Sequence, residues 1–419
     1  MSFIDEIKRW WNKDMNVSVI ENEDFFYSSN IDKWYKLYNN EAPWVDNEVV
    51  YSLNLAKSIV KEITKTATQE FDFTVETKNR YIINAFNYLI KNKRQILTHL
   101  QVAGKVVLKP YINDKDILLS TVTALDFKEK YDNFGRLYKV FFKTDLTESN
   151  KKYRLIEEHT QDYTTNTYKI DYKLLQDNKE VPLNKLSHFE TLDDFVVITD
   201  IPKHLCSILA IDTSIFADGD DLIKQADKQY SRLLWEFEGG ELAVQAKKDL
   251  FRRTGSSNKS QLELPKGKER RYVLLDTDDP DFNIDIFAPQ LRDDSYLKGL
   301  NSIKREIEFA CGLAYGTISE PSQVEKTATE IAASRQRYYV TISDIRSAFI
   351  EGIEDILESV ALLSVALAPS PALVDTNYKV IYDIGDSILT TSKEKLKEKL
   401  LLFDKGLLTA DEFKEWYNS

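Results

Sequence analysis

Apolar positions along the chain follow two periods, and the places where the period changes mark its parts. The stretch from Gly312 to Leu363 joins a punctuated segment to a long helical pattern. Gly312, Gly316 and Pro321 stand among small polar residues, which predicts an exposed, mobile loop from Gly312 to Thr327. Ile331, Tyr338, Ile342, Ile345, Phe349, Ile353, Ile356 and Val360 then recur three, four or seven residues apart, on one helical face. Thr327 or Thr329 can cap the helix, with Glu330 at capping-box spacing from Thr327. About thirty-five residues give a rod of roughly 50 Å, longer than a small domain needs. By pattern alone this is a core helix behind a surface loop.

Ahead of this stretch, helical patterns come first. Phe3, Ile4, Ile7, Trp10 and Trp11 share one side of a short helix. Lys8, Arg9 and Lys13, opposed by Asp5 and Glu6, are too few for a membrane-surface helix, so docking on the same chain or a neighbouring copy is expected. Trp34, Tyr35, Tyr38 and Trp44 surround a turn at Asn39-Asn40. Val49 to Ala67 predicts a helix with Leu53, Ala56, Val60 and Ile63 inside. Lys78 to Leu100 predicts another through Ile82, Phe86, Leu89, Ile90 and Leu97. From Gly104 the period drops to two. KVVLKPY, ILLSTVTALDF, LYKVFFKT, KYRLIEEHT, TYKIDYKLL and FVVITDIP read as antiparallel strands, with a turn at Asp132-Asn133-Phe134-Gly135. Residues 1 to about 215 therefore form an α+β unit, helices before a meander.

Gly219 opens a second part. Asp220 and Asp221 start a helix with a stripe through Leu222, Ala226, Tyr230, Leu233 and Phe237 that stops at Gly239-Gly240. Asp293-Asp294 start a second, through Leu297, Leu300, Ile303, Ile307 and Ala310. Between them about fifty residues carry short strand patterns, YVLLD and FNIDIFA, a basic run and then an acidic one, DTDDPD. The order predicts a projecting β insertion on a helical pair. Pro369 and Pro371 then break the chain, NYKVIYDIGDSI reads as strand and loop, and a terminal helical pair includes a Thr409 cap.

Composition and charge narrow the function classes. The 419 residues suggest two or three domains, and 42% hydrophobic content with 12% aromatics describes a folded chain. Cys206 and Cys311 form no C-x-x-C pair, which fits a reducing compartment without a disulfide framework. Met1 to Asn16 has no continuous apolar run, so no signal peptide is expected. The apolar run near Val360 to Pro369 is too short for a bilayer, so a soluble, intracellular protein without membrane contact is expected. A net charge of −12 opposes a tight, sequence-independent grip on a phosphate backbone. An acidic surface also suits a protein past which nucleic acid must slide.

Catalytic patterns are absent. No glycine falls in G-x-x-x-x-G-K or G-x-G-x-x-G, and His99, His159, His188 and His204 stand apart without metal-ligand spacing. With 68 Asp and Glu, choosing an acid/base pair would be arbitrary. Neither a catalytic residue nor a cofactor nor a metal is expected. The candidate binding patch is the basic run Arg252, Arg253, Lys259, Lys266, Lys268, Arg270 and Arg271, either a solvated loop or a contact for an acidic partner or phosphates.

Several segments, in order and covering most of the chain, resemble the portal (connector, head-to-tail) proteins of tailed bacteriophages, in the branch found in many phages and prophages of Gram-positive hosts. They are IDKWYKLYNNEAPW, SLNLAKSIVKEI, VAGKVVLKPYI, YRLIEEHT with TYKIDYKLL, DGDDLIKQADKQYSRLLWEFE, EKTATEIAASRQRYYVTI and IYDIGDSILTTSKEKLKEKLLLFDKGLLTADEF. The aspartate-rich DDLI helix, KTATEI and the terminal DSI…GLLT run carry most of the specificity. The chain is short for that family, and the insertion matches no family motif.

The resemblance implies an α+β portal fold: wing at 1–218, stem helices at 219–238 and 293–312, clip at 239–292, and tunnel loop at 313–327. A long kinked helix and returning wing would occupy 328–385, and a short crown 386–419. It implies a ring of copies, typically dodecameric, at one vertex of the virion capsid, assembled in the host cytoplasm. Double-stranded DNA would be packaged, retained and ejected through its channel. The terminase large subunit, a head-completion or adaptor protein, and capsid and scaffold proteins would be its partners. Gln323, Val324, Glu325 and Lys326 would contact the DNA backbone, and the basic clip residues would dock motor or adaptor. A reading from another class stands beside it: an oligomeric scaffold or nucleic-acid-processing subunit with a hydrolytic site that no motif reveals.

Overall fold

The computed structural model describes residues 29–113, 116–177, 179–186, 195–241, 243–247, 253–254, 261–262, 272–275, 284–320, 328–368, 374–385, 403 and 405. The chain enters through α1 (Ser29–Tyr38) and α2 (Leu55–Thr68), then β1 (Phe71–Thr77) and α3 (Arg80–Ala103). Asn79 caps α3 by accepting the Tyr81 N–H at 3.0 Å, satisfying a donor that the first helical turn leaves open. Gly104 ends it at φ +76°, where a Cβ would lie 2.8 Å from the Thr213 backbone.

Strands follow: β2 (Lys105–Asn113), β3 (Asp116–Thr123), β4 (Phe127–Tyr131), β5 (Leu137–Glu148), β6 (Lys151–Asp162), β7 (Thr167–Gln176), β8 (Lys179–Val181), β9 (Phe195–Ile198) and β10 (Ser207–Ala210). One antiparallel sheet has the order β10-β2-β3, a larger one β4-β5-β6-β7-β8, with β9 also pairing β7. The long β5–β6 hairpin turns on Ser149 and Asn150, both at positive φ, the backbone that matches strand twist in a two-residue turn. The strands expected between Lys105 and Leu175 are all present, and β4, β8 and β10 join them.

Beyond them lie α4 (Asp220–Gly239), β11 (Ala243–Lys247), β12 (Arg253–Thr254), β13 (Gln261–Leu262), β14 (Tyr272–Leu275), β15 (Ile284–Phe287), α5 (Asp293–Ala310), α6 (Ala328–Ala366) and β16 (Tyr378–Ile384). β14-β11-β15 form a small sheet whose β11–β14 pair is parallel, and β12 pairs β13. This is an α+β protein of helices and mostly antiparallel sheets.

α6 spans 39 residues, about 58 Å at the standard helical rise. Tyr338, Ile342, Ile345, Phe349, Ile353, Ile356 and Val360 are all buried, and α6 packs on α2, α3 and β10-β2. Strand β16 then returns to pair with β1, from Thr77 opposite Tyr378 to Phe71 opposite Ile384. One apolar cluster runs from Ile31 to Leu363 and includes Ile223 and Ile307 at the root of the α4–α5 pair.

Three expected details differ. Residues 49–54 are not helical: the Tyr51 N–H goes to Ser231 Oγ (2.9 Å) and the Leu53 N–H to Asp227 (2.8 Å), and α2 begins only after the left-handed Asn54. Ile90 is exposed on α3. On the paired helices Phe237 and Leu297, expected inside, are exposed, whereas the polar Asp227, Ser231, Glu236 and Glu308 are buried. The inward face of α4 is turned toward residues 44–53, whose donors require polar partners.

Candidate functional site

Two places expected to act lie at opposite ends of α5: the insertion before it and the loop after it. Glu236, near the end of α4, receives the Arg292 guanidinium (Nε–Oε1 3.1 Å, Nη2–Oε2 2.7 Å) and the Arg292 backbone N–H (3.0 Å). This fork closes the base of the inserted unit, because both ends of the insertion are tied to one carboxylate. Within the unit Val273, Ile284, Ile286 and Phe287 are exposed. Of the basic run, Arg253 falls in β12, opposite Leu262. Arg252, Lys259, Lys266, Lys268, Arg270 and Arg271 lie outside the described residues.

At the other end, α5 stops at Cys311 and Gly312 turns at φ +67°. A Cβ at Gly312 would sit 2.3 Å from Thr341 Oγ1, so the turn needs glycine for both space and conformation. The segment expected to be an exposed loop is bound over its first half. Leu313 is fully buried and Ser319 nearly so. Glu308, fully buried on α5, accepts four hydrogen bonds: Oε1 from the N–H groups of Ile318 (2.7 Å) and Ser319 (2.8 Å), and Oε2 from the Gly316 N–H (3.1 Å) and the Ser319 hydroxyl (2.8 Å). Asn301 accepts the Glu320 N–H at 2.7 Å, and Ser334 on α6 accepts that of Tyr315 at 2.8 Å. Arg337 stacks on the exposed Phe309 (4.4 Å to the ring centre) and on Tyr315.

Residues 312–320 are thus a bracket from α5 to α6, and whatever follows starts from a fixed point. Gln323, Val324, Glu325 and Lys326 lie outside the described residues, as does the expected cap Thr327; Thr329 lies inside the helix. Sequence reading missed Glu308, Asn301 and Ser334. The signal present was the glycine pair, since Gly312 and Gly316 both have positive φ and mark a defined turn.

The structure also brings together histidines that stand apart in the sequence. His159 Nδ1 lies 2.8 Å from the Tyr168 hydroxyl and Nε2 3.3 Å from Glu157, which pairs with Lys109 at 2.8 Å. Cys206 Sγ is 3.6 Å from the same hydroxyl, and its N–H donates to His204 Nδ1 at 3.1 Å. Cysteine, histidine and glutamate in one chain of contacts invite a hydrolytic reading. Burial decides against it at this cluster. The Cys206 thiol is pushed up to about 12 by burial, which leaves it protonated and poorly nucleophilic. Burial, with His159 next to it, holds His204 near 3. Burial also lowers His159, so it serves Glu157 as a neutral N–H donor and Lys109 supplies the charge. The cluster is a satisfied polar core between β6, β7 and the residues leading into β10.

Among the described residues no group of His, Cys, Asp or Glu is arranged to hold a metal. Among them too, no helix is long and apolar enough to cross a membrane. Comparison with known protein families and with curated proteins finds no match.

Proposed function

We propose that this chain is a portal subunit of a tailed bacteriophage. Copies close into a ring at a capsid vertex, DNA passes through the central channel, and the inserted β unit docks the packaging motor and head-completion protein. The observation that carries the reading is the order α4, β insertion, α5, bracketed turn and α6, set on an α+β body that the chain leaves at Gly219 and rejoins through α6 and β16. That order agrees with the motif order of the resemblance. Exposed Trp235, Phe309 and Ile286 leave apolar surface that a ring could cover, and a net charge of −12 limits adhesion of passing phosphates.

On this reading Gln323, Val324, Glu325 and Lys326 follow the 312–320 bracket and meet the DNA backbone, while Arg252, Arg253, Arg270 and Arg271 face the motor or adaptor. Electron microscopy of the purified protein tests the reading. Closed rings with a central channel are expected; monomers under every assembly condition would overturn it. Charge reversal at the four arginines is expected to weaken pull-down of motor or adaptor from rings that still form.

A further inference from the structure

Two surfaces of one protomer carry charges of opposite sign that find no ionic partner among the described residues. The first is on α4. Lys224, Lys228 and Arg232 follow one another at four-residue spacing and form a basic stripe about 12 Å long. Lys228 and Arg232 border a groove of about 540 Å³ walled by Val49, Tyr51 and Trp235, with Glu48 and Glu238 also on its wall. Trp235 is 65% and Val49 73% exposed. Lys224 stacks on Trp44 at 5.6 Å, while Lys228 and Arg232 make neither ion pair nor side-chain hydrogen bond among the described residues.

The second surface is a groove of about 560 Å³ between residues 210–218, the end of α5 and the middle of α6. Asp212, Asp218, Asp344 and Glu351 line it, all exposed, and among the described residues no lysine or arginine does. None of the four acids has an ion pair or side-chain hydrogen bond among the described residues. Asp344 and Glu351 are seven residues apart on α6, about 10 Å along one face. That spacing fits the basic stripe. Phe309, 56% exposed, stands at the rim as Trp235 does at the rim of the other groove.

We infer that these surfaces bind each other between two copies of this chain, the Lys228–Arg232–Trp235 stripe of one protomer seated in the Asp344–Glu351 groove of the next. A like-signed groove is relieved by an opposite charge brought alongside, and exposed aromatics at both rims supply apolar area to exclude water. The two surfaces share no residue, so the contact is heterologous: each copy offers one face forward and the other behind, and the series closes or runs on. That it closes rests on the ring reading above; the pairing of faces does not.

The test uses two full-length variants, K228E/R232E and D344K/E351K, each shown by circular dichroism to melt as a folded protein. Sedimentation velocity at low and high salt follows assembly. Each variant alone is expected to need about a hundredfold higher concentration than the unaltered chain to assemble. Mixed, the two are expected to assemble again in strict alternation, since the intact stripe of one meets the intact groove of the other and the two reversed faces are complementary in turn. The chain with all four reversals is expected to assemble again. If unaltered chains form closed rings and both variants do so equally well, the face pairing is overturned and the ring stands. Open filaments lost in the variants would uphold the pairing and overturn the ring. An unaltered chain that never associates would overturn both.

Discussion

Glu308 and Ser319 are joined twice, the backbone N–H of Ser319 to Oε1 and its hydroxyl to Oε2, both at 2.8 Å. With the Gly316 and Ile318 N–H groups, four donors converge on a buried carboxylate. Such bonds exceed neutral ones in strength, and a donor left unpaired inside costs its full desolvation. Glu308→Gln keeps the shape but turns an amide N–H₂ toward these donors. Loss of about 2 kcal/mol of local stability is expected. Backbone hydrogen exchange should speed roughly thirtyfold at residues 316, 318 and 319, and unchanged protection there would show that the bracket does not depend on this carboxylate.

Arg346 does comparable work further along α6. From α6 it donates to the carbonyls of Ala67 (Nε, 3.0 Å), Gln69 (Nη2, 2.6 Å) and Gly385 (Nη1, 3.1 Å). The first two are open acceptors where α2 ends, and the third follows β16. Replacement by alanine leaves those carbonyls unpaired under a buried cavity, so urea denaturation should show a loss of about 3 kcal/mol. Arg346→Lys should recover little, because an ammonium cannot span three divergent carbonyls as a planar fork does. Full stability in the lysine variant would show that charge alone suffices.

Both anchors mark the limit of what the sequence reveals. Strands β2, β3, β5, β6 and β7 were legible because each alternates within itself, and α6 because eight residues repeat on one face. Partners hundreds of residues away were not legible. Residues 49–54 carry a helical spacing, yet Ser231 and Asp227 take the N–H groups of Tyr51 and Leu53. β1, a short segment between helices, gains its place from β16 about 300 residues later. Glu308 in KREIEFACG looks like any solvated glutamate, and His159 and His204 meet only because β6 and the residues before β10 come together.

Gly352 offers a sharper test of packing. It is buried mid-helix on α6, where a Cβ would stand 2.4 Å from the Leu209 side chain of β10. Alanine in an ordinary helix interior gains about 1 kcal/mol over glycine. Here overpacking of about 1–3 kcal/mol opposes that gain, so Gly352→Ala is expected to destabilise. Leu209→Ala in the same chain should make the second substitution neutral or favourable. A simple stabilising effect of Gly352→Ala alone would mean that α6 and β10 are not held this close.

Acid sensitivity should trace to the buried histidine cluster. Burial and His159 lower His204 from the usual imidazole range to about 3, so the folded protein refuses a proton that the unfolded chain accepts below about 6.5. Burial opposes ionisation of Glu157, but the His159 N–H and the Lys109 ammonium outweigh it and bring Glu157 to about 2. The unfolded chain binds more protons in both cases, so both contributions are intact above about pH 6.5 and are lost as pH falls. The histidine acts first, between about 6.5 and 3, and the glutamate follows between about 4.5 and 2. At pH 4 the His204 contribution alone is on the order of 3 kcal/mol. Urea midpoints measured from pH 7.5 to 4 should therefore fall, and His204→Asn, which cannot titrate, should flatten the upper part of that fall whatever its effect at neutral pH. An unaltered slope in this variant would place the acid sensitivity in other groups.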